Sequence, residues 1–317
     1  MDPVTHGVIG LALSSFSGEA VALSNPLSLG CAIGAMVPDI DIVAKLKGDY
    51  VYLKHHRGIS HSLPSLFISS LVITKGLSYF FVDFNFLQVF LWTFLGCLSH
   101  TLFDILNSYG AKLLMPFSKK KAMVGILMLY DPVITILSFA LIFHREKSIF
   151  FYGLILIIFA LYLQIRLIMK KNAKKAIEEY YRHGYKIVDI AVLPALMAFH
   201  KWDFIVNTNS HDIVGQINSF NKKITERKKL KRPDQEALNL FQSTNLGSYF
   251  EEFTPIYHVA KSKEMGRIIL KCTDLRYYLR NNFMHHATII YDENQNIIKS
   301  FFHPYSLRKN IPIAEEE

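Results

Sequence analysis

The sequence has few charged residues and few cysteines. Asp, Glu, Lys and Arg make up only 19% of the 317 residues, whereas hydrophobic residues make up 51%. That balance is apolar for a soluble globular protein. The three cysteines are scattered and form no CxxC pair, which argues against a disulfide framework and against a thiolate zinc site.

The N-terminal residues lack the basic segment of a secretory signal peptide. Asp2, Pro3 and His6 stand where such a peptide carries Lys or Arg. The apolar run that follows, residues 8–23, is interrupted by Ser, Gly and Glu, and the next run, residues 27–37, is rich in Gly and Ala. Neither is a convincing membrane span. We expect the two runs to form a helix pair that packs closely through small residues.

Four later apolar runs approach the roughly 20 residues that a transmembrane helix needs. They cover residues 63–82, 86–103, 122–143 and 149–169. The last is followed by KKNAKK, which predicts a cytoplasmic end because Lys and Arg favour that side. Counting back places the basic clusters at 54–57 and 119–121 on the same side. These features predict a multi-pass protein of the cytoplasmic (inner) membrane; the alternative is a soluble, all-helical bundle.

After residue 175 the sequence becomes more polar, which predicts a domain boundary. Residues 176–317 are polar enough for a soluble, cytoplasmic domain. They show a helical continuation at 176–183, a hairpin around NTNSH and several β-rich segments. We predict a loop or helix for the basic segment 221–234. The predicted fold is therefore mostly α: an N-terminal helical membrane bundle, residues 1–175, that carries a metal site, and a smaller α+β, β-rich C-terminal domain.

Candidate metal ligands are concentrated in two stretches beside apolar sequence. In the first, which runs from Pro38 to Ser62, the ionisable residues of interest are Asp39, Asp41, His55, His56, Arg57 and His61. The second contains His100 and Asp104, whose spacing of four places both on one helix face. Ionisable groups beside membrane spans are costly unless they are paired, metal-bound or functional. The combination predicts a divalent cation site, to which His6 contributes a further ligand.

The sequence leaves several roles open within this site. We expect direct ligation from Asp41, His55 or His56, His100 and Asp104. His61 and Asp39 are each a ligand or a general base, although Asp39 alone would also suit a helix N-cap. Arg57 is the expected contact for an anionic substrate, because its planar guanidinium matches a phosphate.

Taken together, the motifs resemble a known family. MDPVTHGVIGLAL, PDIDI, HHRGISHS, GCLSHTLFDILNSYG and YDP are similar to those of the YdjM/YfhP-type membrane-bound metal-dependent hydrolases. The likeness covers about residues 1–170, in the family's motif order. It implies an inner-membrane protein, a divalent metal and hydrolytic activity.

A more distant resemblance is to zinc-dependent phospholipase C and its related nucleases. It rests on an early His, an Asp followed fourteen residues later by a His, and a His-x-x-x-Asp helix. Those positions are His6, Asp41, His55, His100 and Asp104. The chain lacks the subsequent His-x-x-x-Glu of those enzymes, so the resemblance implies one or two ions rather than three.

We therefore expect a membrane-bound metal-dependent hydrolase that uses metal-activated water. The expected ion is zinc, with manganese, nickel or iron as alternatives. The expected partners are membrane lipids and an anionic substrate, such as a lipid phosphate. Nucleic acid is disfavoured, because few aromatic residues interleave with the basic segment 221–234. The alternative is a membrane-anchored regulatory or scaffold protein whose metal is structural.

Overall fold

The structure is a computed structural model that describes residues 1–55, 57–118, 120–144, 146, 148–196, 198–279 and 281–315. The chain divides into two compact units. The first comprises Met1–Ala44, His55–Lys171 and Pro194–Phe199, and the second comprises Lys45–Lys54, Asn172–Leu193 and His200–Glu317.

Most of the described helices lie in the first part of the chain, and the last two lie in its C-terminal half. The helices are α1 (Pro3–Leu13), α2 (Pro26–Met36), α3 (Asp49–His55), α4 (Leu63–Leu77), α5 (Phe86–Leu106), α6 (Pro132–Phe143), α7 (Ile149–Tyr181), α8 (Gln235–Gln242) and α9 (Asn245–Phe253). Short 3-10 segments cover Ser14–Ser17, Val37–Lys47 and Ile59–His61. The predicted span at 149–169 and the helical continuation at 176–183 lie largely in one helix, α7, which ends at Tyr181.

Capping residues set the starts of two helices in the first unit. Asp2 caps α1 by accepting hydrogen bonds from the backbone N–H groups of Val4 and Thr5. Asp131 caps α6 in the same way, and its Oδ2 also accepts a 2.6 Å hydrogen bond from the Tyr162 hydroxyl. A proline follows each of these caps, where its fixed φ suits the first helical position.

Small residues let α1, α2 and α5 approach closely, as the Gly- and Ala-rich run at 27–37 predicted. A Cβ atom added at Gly96 would lie 2.2 Å from the backbone oxygen of Cys31. One added at Gly34 would lie 2.3 Å from the backbone oxygen of Thr93. A residue with a side chain at either glycine would therefore clash with the backbone of the neighbouring helix.

Within the described residues, three helical segments are long and apolar enough to cross a membrane: Pro26–Lys47, Phe86–Leu106 and Ile149–Tyr181. Two shorter apolar helices are Leu63–Leu77 and Pro132–Phe143. The first segment was not predicted as a span. It is longer than the apolar run 27–37 because 3-10 turns follow α2. The predicted run at 122–143 is helical only from Pro132, since Ala122 bridges to Ala111 and Asp131 begins the helix.

The second unit contains most of the β-structure. Its strands are β1 (Ile187–Pro194), β2 (Lys201–Thr208), β3 (His211–Asn218), β4 (Ile224–Lys231), β5 (Tyr257–Glu264), β6 (Arg267–Asp274), β7 (Tyr278–Leu279), β8 (Asn282–Phe283), β9 (His286–Tyr291), β10 (Ile297–His303) and β11 (Ile311–Pro312). One sheet has the order β1-β2-β3-β4, the second has the order β11-β10-β9-β6-β5, and β7 pairs with β8. Side chains from α8 and α9 share a hydrophobic core with the second sheet. The predicted β-rich α+β domain is confirmed.

One local prediction in this unit was wrong. The basic segment 221–234 is neither a loop nor a helix along most of its length, because it forms strand β4, which pairs antiparallel with β3. Most of its side chains are exposed. A charged edge strand is a common device against unwanted strand pairing, and its basic residues concealed the strand at the sequence level.

The segment Lys45–Lys54 belongs to the second unit, although it lies within residues 1–175. Tyr50 and Leu53 pack against the core that α8, α9 and the second sheet form. The Tyr50 ring lies 4.8 Å from that of Tyr249, edge to face. Asp49 also pairs with Lys309. Burial of these apolar side chains gives the segment its place in the second unit.

Acidification should destabilise the second unit through two buried histidines. Burial lowers the pKa values of His285 and His286 to about 4, whereas an unfolded histidine titrates near 6.5. Between these values the unfolded state binds more protons, so the stabilisation is complete above about pH 6.5 and is lost as the pH falls towards 4. We expect the unfolding free energy to fall by at most about 1.4 kcal/mol per pH unit for each histidine.

Fluorescence of the buried Trp202 measures this effect in a Trp92→Phe background, because the chain has two tryptophans. Replacing both histidines with Gln should flatten the dependence of the thermal midpoint on pH between 7 and 5. The exposed His183→Gln variant should retain it. Equal slopes in the double variant and its parent would show that other groups control the acid sensitivity.

Candidate metal centre

Four buried side chains converge in the first unit. Asp39 lies on the 3-10 segment after α2, His61 ends the short 3-10 turn before α4, and α5 carries His100 and Asp104. Each offers one ligand atom, and the four atoms all lie within 4.8 Å of one another. His61, His100 and Asp104 are fully buried, and Asp39 is 6% exposed.

Five of the six distances between these atoms are close to the edge of a tetrahedron, and the sixth, between the two carboxylate oxygens, is no more than 4.8 Å. The Nε2 atoms of His61 and His100 lie 3.1 Å apart. Asp39 Oδ1 is 3.7 Å from the first and 3.5 Å from the second, and Asp104 Oδ2 is 3.5 Å and 3.7 Å from them. Ligand atoms held about 2.1 Å from a tetrahedral zinc ion would lie about 3.4 Å apart.

Hydrogen bonds behind the two imidazoles indicate their protonation. His100 Nδ1 lies 2.7 Å from the backbone oxygen of Ala35, which can only accept, so Nδ1 carries the proton. Ser60 Oγ donates to Asp41 Oδ2 at 3.2 Å and therefore accepts from His61 Nδ1 at 2.9 Å. Burial lowers the pKa of His61 to about 4, which favours a neutral ring. In neutral rings that carry the proton on Nδ1, both Nε2 atoms present lone pairs to the centre of the cluster.

These residues fit a divalent cation. Two nitrogen lone pairs that face each other at 3.1 Å repel, whereas a cation between them attracts both. Among the described residues, no hydrogen bond reaches the buried Asp39 Oδ1. Imidazole nitrogen and carboxylate oxygen are the donors that zinc and related divalent ions take from proteins. The hydrogen bonds to Nδ1 also match the outer partners that orient metal-bound histidines.

Two cationic groups, an amide and an imidazole surround Asp104. Arg57 Nε lies 3.1 Å from its Oδ2, and Asn107 Nδ2 donates to Oδ1 at 2.9 Å. His6 Nε2 and the amino group of Met1 lie 3.4 Å and 3.0 Å from Oδ1. The carboxylate is thus fixed in orientation from several sides, with Oδ2 turned towards the two histidines.

His6 lies beside the four-residue cluster. Its ring stacks on that of His100 with centroids 3.7 Å apart. Among the described residues, neither of its buried ring nitrogens has a hydrogen-bond partner. The metal-binding role of His6 stays a prediction. These nitrogens could bind a second ion, or the same ion after a small shift of the ring.

Asp41 lies behind His61, outside the four-residue cluster, and its predicted metal-binding role stays a prediction. Its Oδ2 accepts hydrogen bonds from the backbone N–H of Arg57 at 3.0 Å and from Ser60, and lies 4.0 Å from His61 Nδ1. It therefore supports the loop that presents His61, whereas Asp39 joins the cluster. Ser60, which the sequence reasoning missed, links Asp41 to His61; its place immediately before a candidate ligand was the available signal.

Arg57 holds an unusual backbone conformation at this loop. Its φ of 61° lies in the left-handed region that non-glycine residues rarely adopt. The Asp41 hydrogen bond holds its N–H, and its carbonyl accepts from the backbone N–H of Lys112. The guanidinium lies 4.2 Å from the Tyr109 ring centroid. Strain of this kind persists where surrounding contacts enforce it, often at functional sites.

The structure does not test two predicted ligands. His56 lies outside the described residues, and for His55 the description covers only the backbone at the end of α3. Their predicted roles stay predictions. Asn107, the residue that follows the end of α5, lies next to the cluster, because its Nδ2 donates to Asp104 Oδ1.

The fold and the cluster define an α-helical membrane protein with a buried Asp/His centre that could hold a metal ion. The YdjM inner membrane protein family matches residues 1–173, and this chain belongs to that family. The YfhP C-terminal alpha/beta plait domain matches residues 236–311. The family resemblance predicted from the motifs is thus confirmed, and the hydrolytic activity stays a prediction.

A curated relative extends the similarity over most of the chain. The chain is 29% identical over 301 residues to "Uncharacterized protein YfhP" of Bacillus subtilis (strain 168), and the match covers 89% of each protein. No solved structure matches the chain significantly.

Proposed function

We propose that this protein is a multi-pass membrane hydrolase whose Asp39, His61, His100 and Asp104 hold a catalytic divalent metal ion. The proposed substrate is a phosphoester or another anionic compound, with a lipid phosphate as the leading choice. The observation that carries the proposal is the convergence of two buried Nε2 atoms, 3.1 Å apart, with two carboxylate oxygens. A metal ion at this position would lower the pKa of a bound water and polarise a phosphoryl oxygen.

The ligand types support a catalytic ion. Structural zinc sites use mainly cysteine thiolates, whereas catalytic sites use histidine and carboxylate ligands. All three cysteines are buried, and none of them belongs to the candidate set. Zinc remains our first choice, and one or two ions are compatible with the additional presence of His6.

Arg57 supplies positive charge at the edge of the cluster. Its guanidinium contacts Asp104 and the Tyr109 ring, and the hydrogen bonds of its backbone hold it in this position. We propose that it also binds the anionic group of the substrate and stabilises the negative charge that develops during hydrolysis.

The membrane orientation follows from the basic residues. Lys170, Lys171, Lys174 and Lys175 follow the apolar part of α7, and Lys and Arg favour the cytoplasmic side. We therefore propose that the C-terminal domain is cytoplasmic. The candidate metal centre is proposed to lie near the same membrane face, where the head groups of inner-leaflet lipids are accessible.

An activity screen with a conservative Arg57 variant tests the proposed function. Metal-loaded protein should hydrolyse at least one of three reporters: a phosphodiester, a phosphomonoester or an acyl ester. The Arg57→Lys variant keeps a charge beside Asp104 but loses the planar fork, so we expect kcat/KM to fall about 100-fold while the bound metal is unchanged. The exposed Arg182→Lys variant is the control.

Two results would count against this proposal. One is wild-type activity in the Arg57→Lys variant, which would remove Arg57 from the substrate contacts. The other is equal hydrolysis by metal-loaded and chelator-treated protein, which would separate the metal from the reaction.

The burial of the cluster favours a second candidate function. His61, His100 and Asp104 have no exposed surface, and four protein ligands can complete a tetrahedral structural site. The protein would then be a membrane-anchored regulatory or scaffold protein. In that case metal removal would lower the unfolding temperature, and every reporter would remain intact in the presence of metal.

A further inference from the structure

The first unit contains an apolar cavity that the proposed chemistry does not use. It lies between α1, α5, α6 and α7 and has a volume of about 340 Å³. Ser99 and Ser138 are the polar residues among its described lining, and the rest of the wall is aliphatic or aromatic. Cavities of this size bind small ligands, and an apolar wall selects for hydrocarbon because it cannot satisfy polar groups.

The cavity begins one helical turn from the candidate metal centre. On α1, His6, Ile9 and Leu13 follow the i, i+3, i+7 spacing of one helix face. His6 stacks on His100, while Ile9 and Leu13 line the cavity. The rise of about 1.5 Å per residue places Leu13 about 10 Å along the axis from His6. A ligand could therefore reach both places.

The shape of the cavity fits a chain rather than a compact molecule. On α7 its lining extends from Ile155 to Leu163, which corresponds to about 12 Å of helix. Leu102 and Leu156 line the cavity and are each 52% exposed. Because α5 and α7 are candidate membrane spans, this open side faces hydrocarbon, and a lipid chain could enter laterally.

We infer that this cavity holds one hydrocarbon chain of a lipid whose anionic head group lies at Arg57 and the candidate metal centre. The inference rests on the proposed function and narrows its substrate class to a long-chain amphiphile with a phosphate. Helix α5 carries residues of both the cavity lining and the candidate metal centre, and α1 carries further lining residues together with His6, which stacks on His100. The hydrocarbon chain of such a lipid matches the apolar cavity, and its phosphate matches the charged centre.

Photo-crosslinking tests the cavity directly. The full-length protein is reconstituted in phosphatidylethanolamine vesicles with a phosphatidylglycerol probe that carries a diazirine near the end of one acyl chain. We expect cross-linked peptides from the cavity lining on α1, α5, α6 and α7 in addition to the lipid-facing surface. Excess dodecyl phosphate should reduce the cavity cross-links several-fold, whereas inorganic phosphate should not, because it lacks a chain.

Cavity-filling variants provide the matched comparison. Ile155→Trp fills the cavity from α7, whereas Leu154→Trp places the same ring at a 53% exposed position outside the lining. The first should lose cavity cross-links several-fold and the second should keep them. Ser138→Leu is a smaller filling variant from α6 that should show the same loss if Ile155→Trp does not fold.

Failure of this inference can be separated from failure of the proposed function. Equal cavity labelling in Ser138→Leu, Leu154→Trp and wild type, or labelling confined to lipid-facing residues, would overturn the cavity inference. Bound metal should remain in Ser138→Leu, because Ser138 is not one of the candidate ligands, and Leu154→Trp should also keep hydrolysis of small water-soluble reporters. Loss of cavity labelling together with intact metal binding is the expected result.

Discussion

Replacement of His100 with Ala should abolish metal binding. His100 contributes one of the two Nε2 atoms that face each other in the cluster, and it shares α5 with Asp104. Loss of partners outside the ligand set commonly weakens metal affinity 10–100-fold, so loss of a ligand should weaken it by at least about 100-fold. Elemental analysis of the detergent-purified protein measures the bound metal directly.

The Ala variant also removes a buried hydrogen bond, and a second variant separates the two effects. His100 Nδ1 donates to the Ala35 carbonyl at 2.7 Å, and an unsatisfied carbonyl there would cost about 1–3 kcal/mol. His100→Asn can retain this donor while it lacks Nε2. We expect His100→Asn to fold but to lose metal, and the exposed His183→Ala to retain it.

Thermal unfolding provides a second measurement of the same prediction. A bound ion stabilises the folded state by mass action, so a chelator should lower the unfolding midpoint of the wild type. The midpoint of His100→Asn should not respond. A full equivalent of metal in His100→Asn, or a chelator response equal to that of wild type, would contradict the proposed ligand set.

The second large effect should come from Gly96→Ala. The added Cβ would lie 2.2 Å from the Cys31 carbonyl oxygen and 3.1 Å from the backbone nitrogen of Ala35. These are backbone atoms of α2, so relief requires the two helices to separate. Overpacking of this kind typically costs about 1–3 kcal/mol, and occasionally more.

The same substitution should also reduce metal binding. His100 lies one turn after Gly96 on α5, and Asp39 lies just beyond the end of α2. A separation of these helices moves one histidine and one carboxylate of the cluster apart. We therefore expect a lower unfolding midpoint together with weaker metal binding.

Gly153→Ala is the matched control. Gly153 is also in a helix, α7, but an added Cβ there would meet no atom within 4 Å. Since Ala favours a helix interior over Gly by about 1 kcal/mol, this variant should be neutral or slightly stabilised. Similar loss of stability in Gly96→Ala and Gly153→Ala would show that close α2–α5 packing is unimportant.

Part of the candidate centre could be predicted because it depends on helix periodicity. The spacing of His100 and Asp104 places both on one face of any regular helix, and the apolar residues around them predicted such a helix. Both residues indeed occupy α5 and lie in one cluster. The family and the helical membrane unit were predicted from the same motifs and apolar runs.

The choice between Asp39 and Asp41 could not be made from sequence. Both flank Ile40, and a turn or helix start at Pro38 is compatible with either as a ligand. The 3-10 winding after α2 turns Asp39 towards the histidines and Asp41 towards Ser60 and the Arg57 backbone.

The sequence by itself determined the membrane character, the kinds of ligand available and the helix that carries His100 and Asp104. These features depend on composition and on contacts within a few residues. Only the tertiary structure decided that Asp39 and His61 complete the cluster and that Lys45–Lys54 joins the second unit. Those outcomes depend on the close approach of α2 and α5 through glycine and on side chains distant in sequence, which local patterns do not encode.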